Sequence, residues 1–144
     1  IDWMRSMGIT ITEFPVNLET ARYASAQAVH VCVGAPNILR GGSVIKNLSA
    51  REAVSEGCVR IICSDYVPMA VLHAVWILHR SLNIPLHETV RMASLNPAEA
   101  VGISGTTGSL EAGKAADLVI VDQTGEIPRI KKTYVSGREV FSTW

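Results

Sequence analysis

The sequence has no excess of charge of either sign: lysine and arginine number 13, aspartate and glutamate 13, and the formal net charge is zero. Without a basic excess, nothing argues for binding to nucleic acid or to an anionic membrane. Cysteine is scarce, at three residues with no CxxC pair. An odd count so spaced fits reduced thiols and a cytoplasmic setting better than a disulfide framework. No charged-then-apolar leader is visible at the start, and the longest apolar stretch, Val67 to Leu78, is broken by Pro68 and His73. No span long enough to cross a membrane is therefore expected. Internal repeats and low-complexity segments are also missing.

Charged residues make up only 18% against 48% hydrophobic, over 144 residues. That composition excludes intrinsic disorder and suffices for one buried core. Low charge and zero net charge also give little resistance to self-association, so a homo-oligomer is expected.

Strand and helix patterns alternate through the first eighty residues. Ile9 to Glu13, Val29 to Val33 and Val59 to Cys63 are short β-branched or apolar runs that read as strands. Leu18 to Ala28 reads as a helix, a long loop is expected from Gly34 through Arg40-Gly41-Gly42-Ser43, and Ser49-Ala50-Arg51-Glu52 has capping-box spacing. Pro68 opens a further helix to about Arg80. Three β-then-α units in succession, with nearly continuous apolar strands, predict a parallel sheet covered by helices. Leu86 to Ser94 reads as a helix, and Asn96-Pro97 as the N-cap and first residue of another. Beyond Gly102 the pattern changes to glycine-punctuated loops and strands at Asp117–Asp122, Arg129–Val135 and Glu139–Phe141, an antiparallel meander. The chain thus divides into an α/β part, 1–104, and a β tail, 105–144.

Two groups of residues carry a family resemblance. The carboxyl half has Ser94-Leu95-Asn96-Pro97-Ala98, Val101-Gly102, and Gly108-Ser109-Leu110-Glu111-Ala112-Gly113-Lys114-Ala115-Ala116-Asp117 leading into Leu118 to Asp122. This string resembles the end of the amidohydrolase superfamily, where the last barrel helices return the chain to a small β-sandwich. The amino half has Glu13-Phe14-Pro15, Gly34-Ala35-Pro36-Asn37, Arg40-Gly41-Gly42-Ser43, Asn47-Leu48-Ser49-Ala50 and Ser64-Asp65-Tyr66-Val67-Pro68. These are similar to the branch of diphosphatases that act on a ribose triphosphate phosphonate in the carbon–phosphorus lyase pathway. The resemblance implies the last three β/α units of a barrel that in full has eight strands in roughly 250 residues. It also implies a divalent metal, zinc in the parent family, and a reaction in which water releases pyrophosphate.

Asp65 closes the third strand, where parallel β/α folds place their chemistry. By spacing alone it is either a helix cap or a site carboxylate. The resemblance makes it the aspartate of the last barrel strand, a metal ligand that accepts a proton from water. Glu13 offers a second oxygen if the strand ends converge. The family's His-x-His is not present, so little or no tightly held metal is expected of the chain alone. His30 and Cys32 share a strand face and read as core packing in preference to half a zinc site. His73, His79 and His87 read as structural or exposed.

Arg40, Gly41, Gly42 and Asn47 are the expected substrate contacts, because backbone amides at glycines and a guanidinium suit a phosphorylated anion. This chain departs from the family's Gly-Gly-Ser-His-Ser-Gly-Asn in having Val44, Ile45 and Lys46 between Ser43 and Asn47. Two readings follow: part of a metal-dependent hydrolase, or a non-catalytic stand-alone protein acting as an oligomeric or anion-binding module.

Overall fold

The computed structural model describes residues 1–42 and 48–143. A short helix, α1 (Asp2–Ser6), precedes β1 (Ile11–Glu13). The Ile9 N–H bonds back to the Met4 carbonyl, so the first strand starts two residues later than expected. Helix α2 (Leu18–Ala26) begins at Asn17, whose side chain accepts from the Thr20 N–H at 2.8 Å. Strand β2 (His30–Gly34) runs directly into α3 (Ala35–Arg40).

The expected loop after Gly34 is therefore a helix as far as Arg40. Pro36 sits in its first turn, where its missing N–H costs nothing, so it starts the helix and does not break it. The helix stops at Gly41 in the left-handed conformation. Arg51 donates to the Ile38 and Leu39 carbonyls at 2.7 and 3.3 Å, satisfying acceptors that the helix end leaves free.

Helix α4 (Ala50–Ser55) starts as the capping box predicts, with Ser49 accepting from the Glu52 N–H. Then come β3 (Val59–Cys63) and α5 (Ala70–Leu82). Helices α6 (Leu86–Ala93) and α7 (Leu95–Ala100) follow. Asn96 does not cap α7; Ser94 holds that place, and the buried Asn96 amide donates instead to the Arg60 carbonyl at 2.8 Å. A residue with a long-range partner loses its local capping role.

Strands β1, β2 and β3 form one parallel sheet in that order. Val31 and Val33 of the middle strand join Ala35, Ile38, Val59, Ile62, Ala74, Val75 and Leu78 in the main core. The second sheet is antiparallel, with β4 (Leu118–Asp122), β5 (Arg129–Val135) and β6 (Arg138–Ser142) in sequence order. Val121 reaches the main core, and Arg80 on α5 donates to the Gly125 and Glu126 carbonyls, tying the β4–β5 connection to the first part. Among the described residues no helix is long and apolar enough to cross a membrane.

One glycine sets how the chain leaves α7. A Cβ on Gly108 would stand 2.7 Å from Ala98 Cβ and 3.1 Å from the Ser94 carbonyl, and its φ is +92°. Gly108→Ala should lower stability by about 2–4 kcal/mol, combining left-handed backbone strain with overpacking. Gly102, at φ +75° with nothing within 4 Å, supplies the comparison. Gly102→Ala should cost only about 1–2 kcal/mol, so denaturation curves of the two variants should separate clearly.

Candidate functional site

The carboxyl ends of the three parallel strands bring together residues that lie fifty positions apart. Val31 and Val33 face the helices, so Cys32 and Gly34 between and beyond them face the other side of the sheet. Register pairs Glu13 with Cys32, Cys32 with Ile61, and Gly34 with Cys63. The outcome is a cluster of Glu13, Cys32 and Cys63, each offering one donor atom, all within 4.8 Å of one another. Glu13 is exposed, Cys63 half-buried and Cys32 buried.

The two thiols perturb each other. The neighbouring Cys32 holds the Cys63 thiol down, at about 7, against the opposing effect of burial. Cys32, beside Cys63 and more deeply buried, is pushed up. Two neighbouring thiols do not both ionise easily.

Asp65 follows two residues after Cys63. Its φ is +50°, and Phe14, just past the end of β1, has the same value. Left-handed backbone is unfavourable for both residue types, most of all for a bulky aromatic. Both side chains converge on Gly34. A Cβ there would stand 2.9 Å from Phe14 Cε1 and 3.1 Å from Asp65 Oδ2. Glycine at the end of β2 thus leaves the space into which the carboxylate and the ring turn. Asp65 is not the cap of α5, which starts from Met69 with no side-chain cap bond. Of its two readings, this geometry excludes the helix cap.

Tyr66 connects Asp65 to the second group of expected residues. Arg40 donates to the Tyr66 hydroxyl at 2.7 Å and to Asn37 Oδ1 at 3.0 Å, and its guanidinium lies 5.9 Å from the Tyr66 ring centre. The end of α3 is thereby held next to the β3 end. The Gly41 N–H is bonded to the Asn37 and Ile38 carbonyls, so it is not a free anion donor as its place in the loop implied. Gly42 follows in the open; Asn47 and Lys46 lie outside the described residues.

The histidines stay apart from this group. His79 Nδ1 lies 2.7 Å from the Ile84 carbonyl and closes the end of α5, and His87 is exposed beside Glu88. His30 is at the opposite end of β2 from Gly34. Reading His30 with Cys32 from their spacing missed the relevant partner, Cys63, which enters through strand pairing. A concavity lined by Val54, Val59, Arg60, Glu88, Arg91 and Asn96 lies towards the amino end of β3, away from Asp65.

Parallel β/α folds place their chemistry at the strand carboxyl ends, where these carboxylate and thiol side chains gather. Comparison with known proteins makes the assignment: residues 5–140 match the Amidohydrolase family, and the chain belongs to it. It is 34% identical over 137 residues to alpha-D-ribose 1-methylphosphonate 5-triphosphate diphosphatase of Escherichia coli strain K12, covering 94% of this chain and 36% of that protein. It is 44% identical over 73 residues to N-acetylglucosamine-6-phosphate deacetylase of Vibrio furnissii, covering 51% of this chain and 18% of the relative. The chain thus spans about a third or less of the length of these relatives. Among solved structures, an amidohydrolase from Thermotoga maritima MSB8 superposes with a TM-score of 0.74 at 20% identity, over 97% of this chain and 39% of that one. An adenosine deaminase from Xanthomonas campestris, solved with bound zinc, gives 0.63 at 18% identity, over 96% and 39%. These two likenesses are of fold.

The donors fit a divalent metal in kind. Carboxylates and thiols are both metal ligands.

The space over Gly34 gives a direct test. Gly34→Ala should push Asp65 and Phe14 aside and cost about 1–3 kcal/mol through overpacking. Amide spectra should show shifts concentrated at residues 13–15, 32–34 and 63–66. A variant with wild-type stability and an unchanged Asp65 resonance would contradict the close approach.

Proposed function

We propose that this chain provides the carboxyl-terminal part of the active site of a metal-dependent hydrolase, its parallel strands being the last three of a (β/α) barrel and its β tail part of a small sandwich. The reaction is release of pyrophosphate from a phosphorylated ribose. The observation that carries this reading is the Asp65 carboxylate, turned over Gly34 at the strand ends with Arg40 clasped to Tyr66 beside it. The relative with the longest match reported above bears the name of a triphosphate diphosphatase, and the deacetylase relative is named for a phosphorylated sugar. Membership of a hydrolase family does not favour the non-catalytic alternative.

The residues divide the work by chemistry. Asp65 is exposed and carries no side-chain hydrogen bond among those of the described residues, which leaves its oxygens available to water. It is the group that takes a proton from the attacking water, a general base within reach of solvent. The strand-end donors beside Asp65 would hold the metal, leaving the Asp65 carboxylate to the water. A divalent metal, when bound, acidifies water and neutralises phosphoryl oxygens. Arg40 is fixed in direction by Asn37 and Tyr66, and its remaining guanidinium donors meet phosphate oxygens. Gly42 and Asn47 complete the phosphate contacts, with Gly41 setting the end of α3.

Pyrophosphate titrated into the labelled chain should move the Gly42 amide and the Tyr66 resonances, and leave the internally bonded Gly41 amide less affected. Arg40→Ala should weaken the response about tenfold, in line with loss of a charge-assisted hydrogen bond. An unchanged spectrum at millimolar pyrophosphate, or an equal response from the variant, would remove Arg40 from the site. Pyrophosphate release should fall at least about a hundredfold in Asp65→Asn, the usual loss for a general base.

A further inference from the structure

We propose that Glu13, Cys32 and Cys63 form a site for one thiophilic divalent ion, zinc or a chemical equivalent, at the carboxyl end of the parallel sheet. The donors come from three adjacent strands, so the sheet itself fixes their spacing. Glu13 and Cys32 are paired directly, and Cys63 is reached diagonally from Cys32 through the Ile61 and Gly34 pairings. Their donor atoms already lie within 4.8 Å. Tetrahedral zinc with sulfur at about 2.3 Å and oxygen at about 2.0 Å needs donors about 3.5–3.8 Å apart. Side-chain rotation alone closes a gap of about 1 Å at this scale, with no change in strand register.

Burial grades the site in a useful way. Cys32 forms a buried floor, Cys63 is half-buried, and Glu13 is an exposed rim. Three protein donors leave a fourth position for water or an anionic oxygen, as in open zinc sites. Two sulfurs decide the metal. Thiolates favour zinc, cadmium and cobalt over magnesium and calcium, which take oxygen ligands. The cluster needs none of the family's histidines and sets a second reading beside the expectation that the chain alone holds little metal: that expectation counted the carboxylates Asp65 and Glu13 and left out Cys63.

This site deepens the reading of Asp65 as a hydrolytic carboxylate and rests on it only for placing the ion next to the reaction. Ion binding is measured without turnover. The reduced chain, loaded with zinc and dialysed, should retain one zinc per chain by elemental analysis. Cobalt in its place should give an intense near-ultraviolet thiolate-to-cobalt band and the visible bands of tetrahedral coordination. Millimolar magnesium should not displace it.

Cys63→Ser, at a half-buried position, should weaken zinc binding at least about a hundredfold, more than loss of an outer-shell partner costs, and should remove most of the cobalt band. Glu13→Gln should weaken binding while keeping a thiolate band. Zinc should also protect the half-buried Cys63 from alkylation in the wild type, a readout that survives if a cysteine variant fails to fold. Asp65→Asn should retain the cobalt band; its loss there with persistence in Cys63→Ser would overturn the proposal and put the ion on Asp65. Substoichiometric zinc in the reduced wild type, or an isolated Cys32–Cys63 disulfide unaffected by zinc, would overturn it equally. Failure of pyrophosphate release with the cobalt band intact would count against the reaction and leave the ion site standing.

Discussion

The pairing of β2 with a strand on each side organises both the core and the site. Its residues alternate, and each set has a separate task. Val31 and Val33 are at most 4% exposed and pack under the helices. Full burial of such side chains contributes about 1.5–3 kcal/mol each. Cys32 and Gly34 face the other way, one bringing a sulfur and the other an absence of side chain. A shift of one residue in register would exchange the two sets and bury no valine where the helices need it. Core packing therefore enforces the register that gathers Glu13, Cys32, Cys63 and Asp65. The functional geometry is a by-product of apolar burial on the opposite face.

That coupling explains why strain can persist at the strand ends. Phe14 and Asp65 both take left-handed backbone, which costs roughly 1–2 kcal/mol for a bulky residue such as Phe14 and less for Asp65, whose short polar side chain tolerates it. Each is held because the preceding strand is locked by its neighbours; the Phe14 N–H continues the ladder to the Cys32 carbonyl at 3.1 Å. Strain placed where a carboxylate must leave the sheet and meet water is common at working sites.

The sequence showed the strands clearly because their runs are apolar, short and bounded. It showed α4 because Ser49 and Glu52 stand three apart, a purely local signal. The β tail was equally open to reading, through its turns and β-branched runs. What stayed hidden depended on distance. Pro36 reads as a breaker in isolation, and only the continuous path from β2 into α3 makes it a helix starter. Asn96 reads as a cap until the Arg60 carbonyl, 36 positions away, claims its amide. The place of Asp65 was legible because it follows a strand; the neighbourhood of Cys63 was not, because it depends on Cys32 on another strand. Pairing register is a property of the sheet, and period-two counting within β2 leads to His30, at the wrong end.

Arg40 shows how the two signals combine. Locally it is the last residue of a six-residue helix, a favourable place for a cation. The helix carbonyls there are already taken by Arg51, so Arg40 is not needed as a cap. It turns instead to Tyr66, 26 positions on, and this contact places positive charge beside the carboxylate end of β3. A carboxylate, a thiol pair and a guanidinium now occupy one mouth of the sheet without forming an ion pair with each other among the described residues. Such separation is what the proposed cation site and anion contact both require: Arg40 is held by Asn37 and Tyr66 and not by a carboxylate. Arg51 is what makes the separation possible, because it relieves Arg40 of a structural duty that the helix end would otherwise impose.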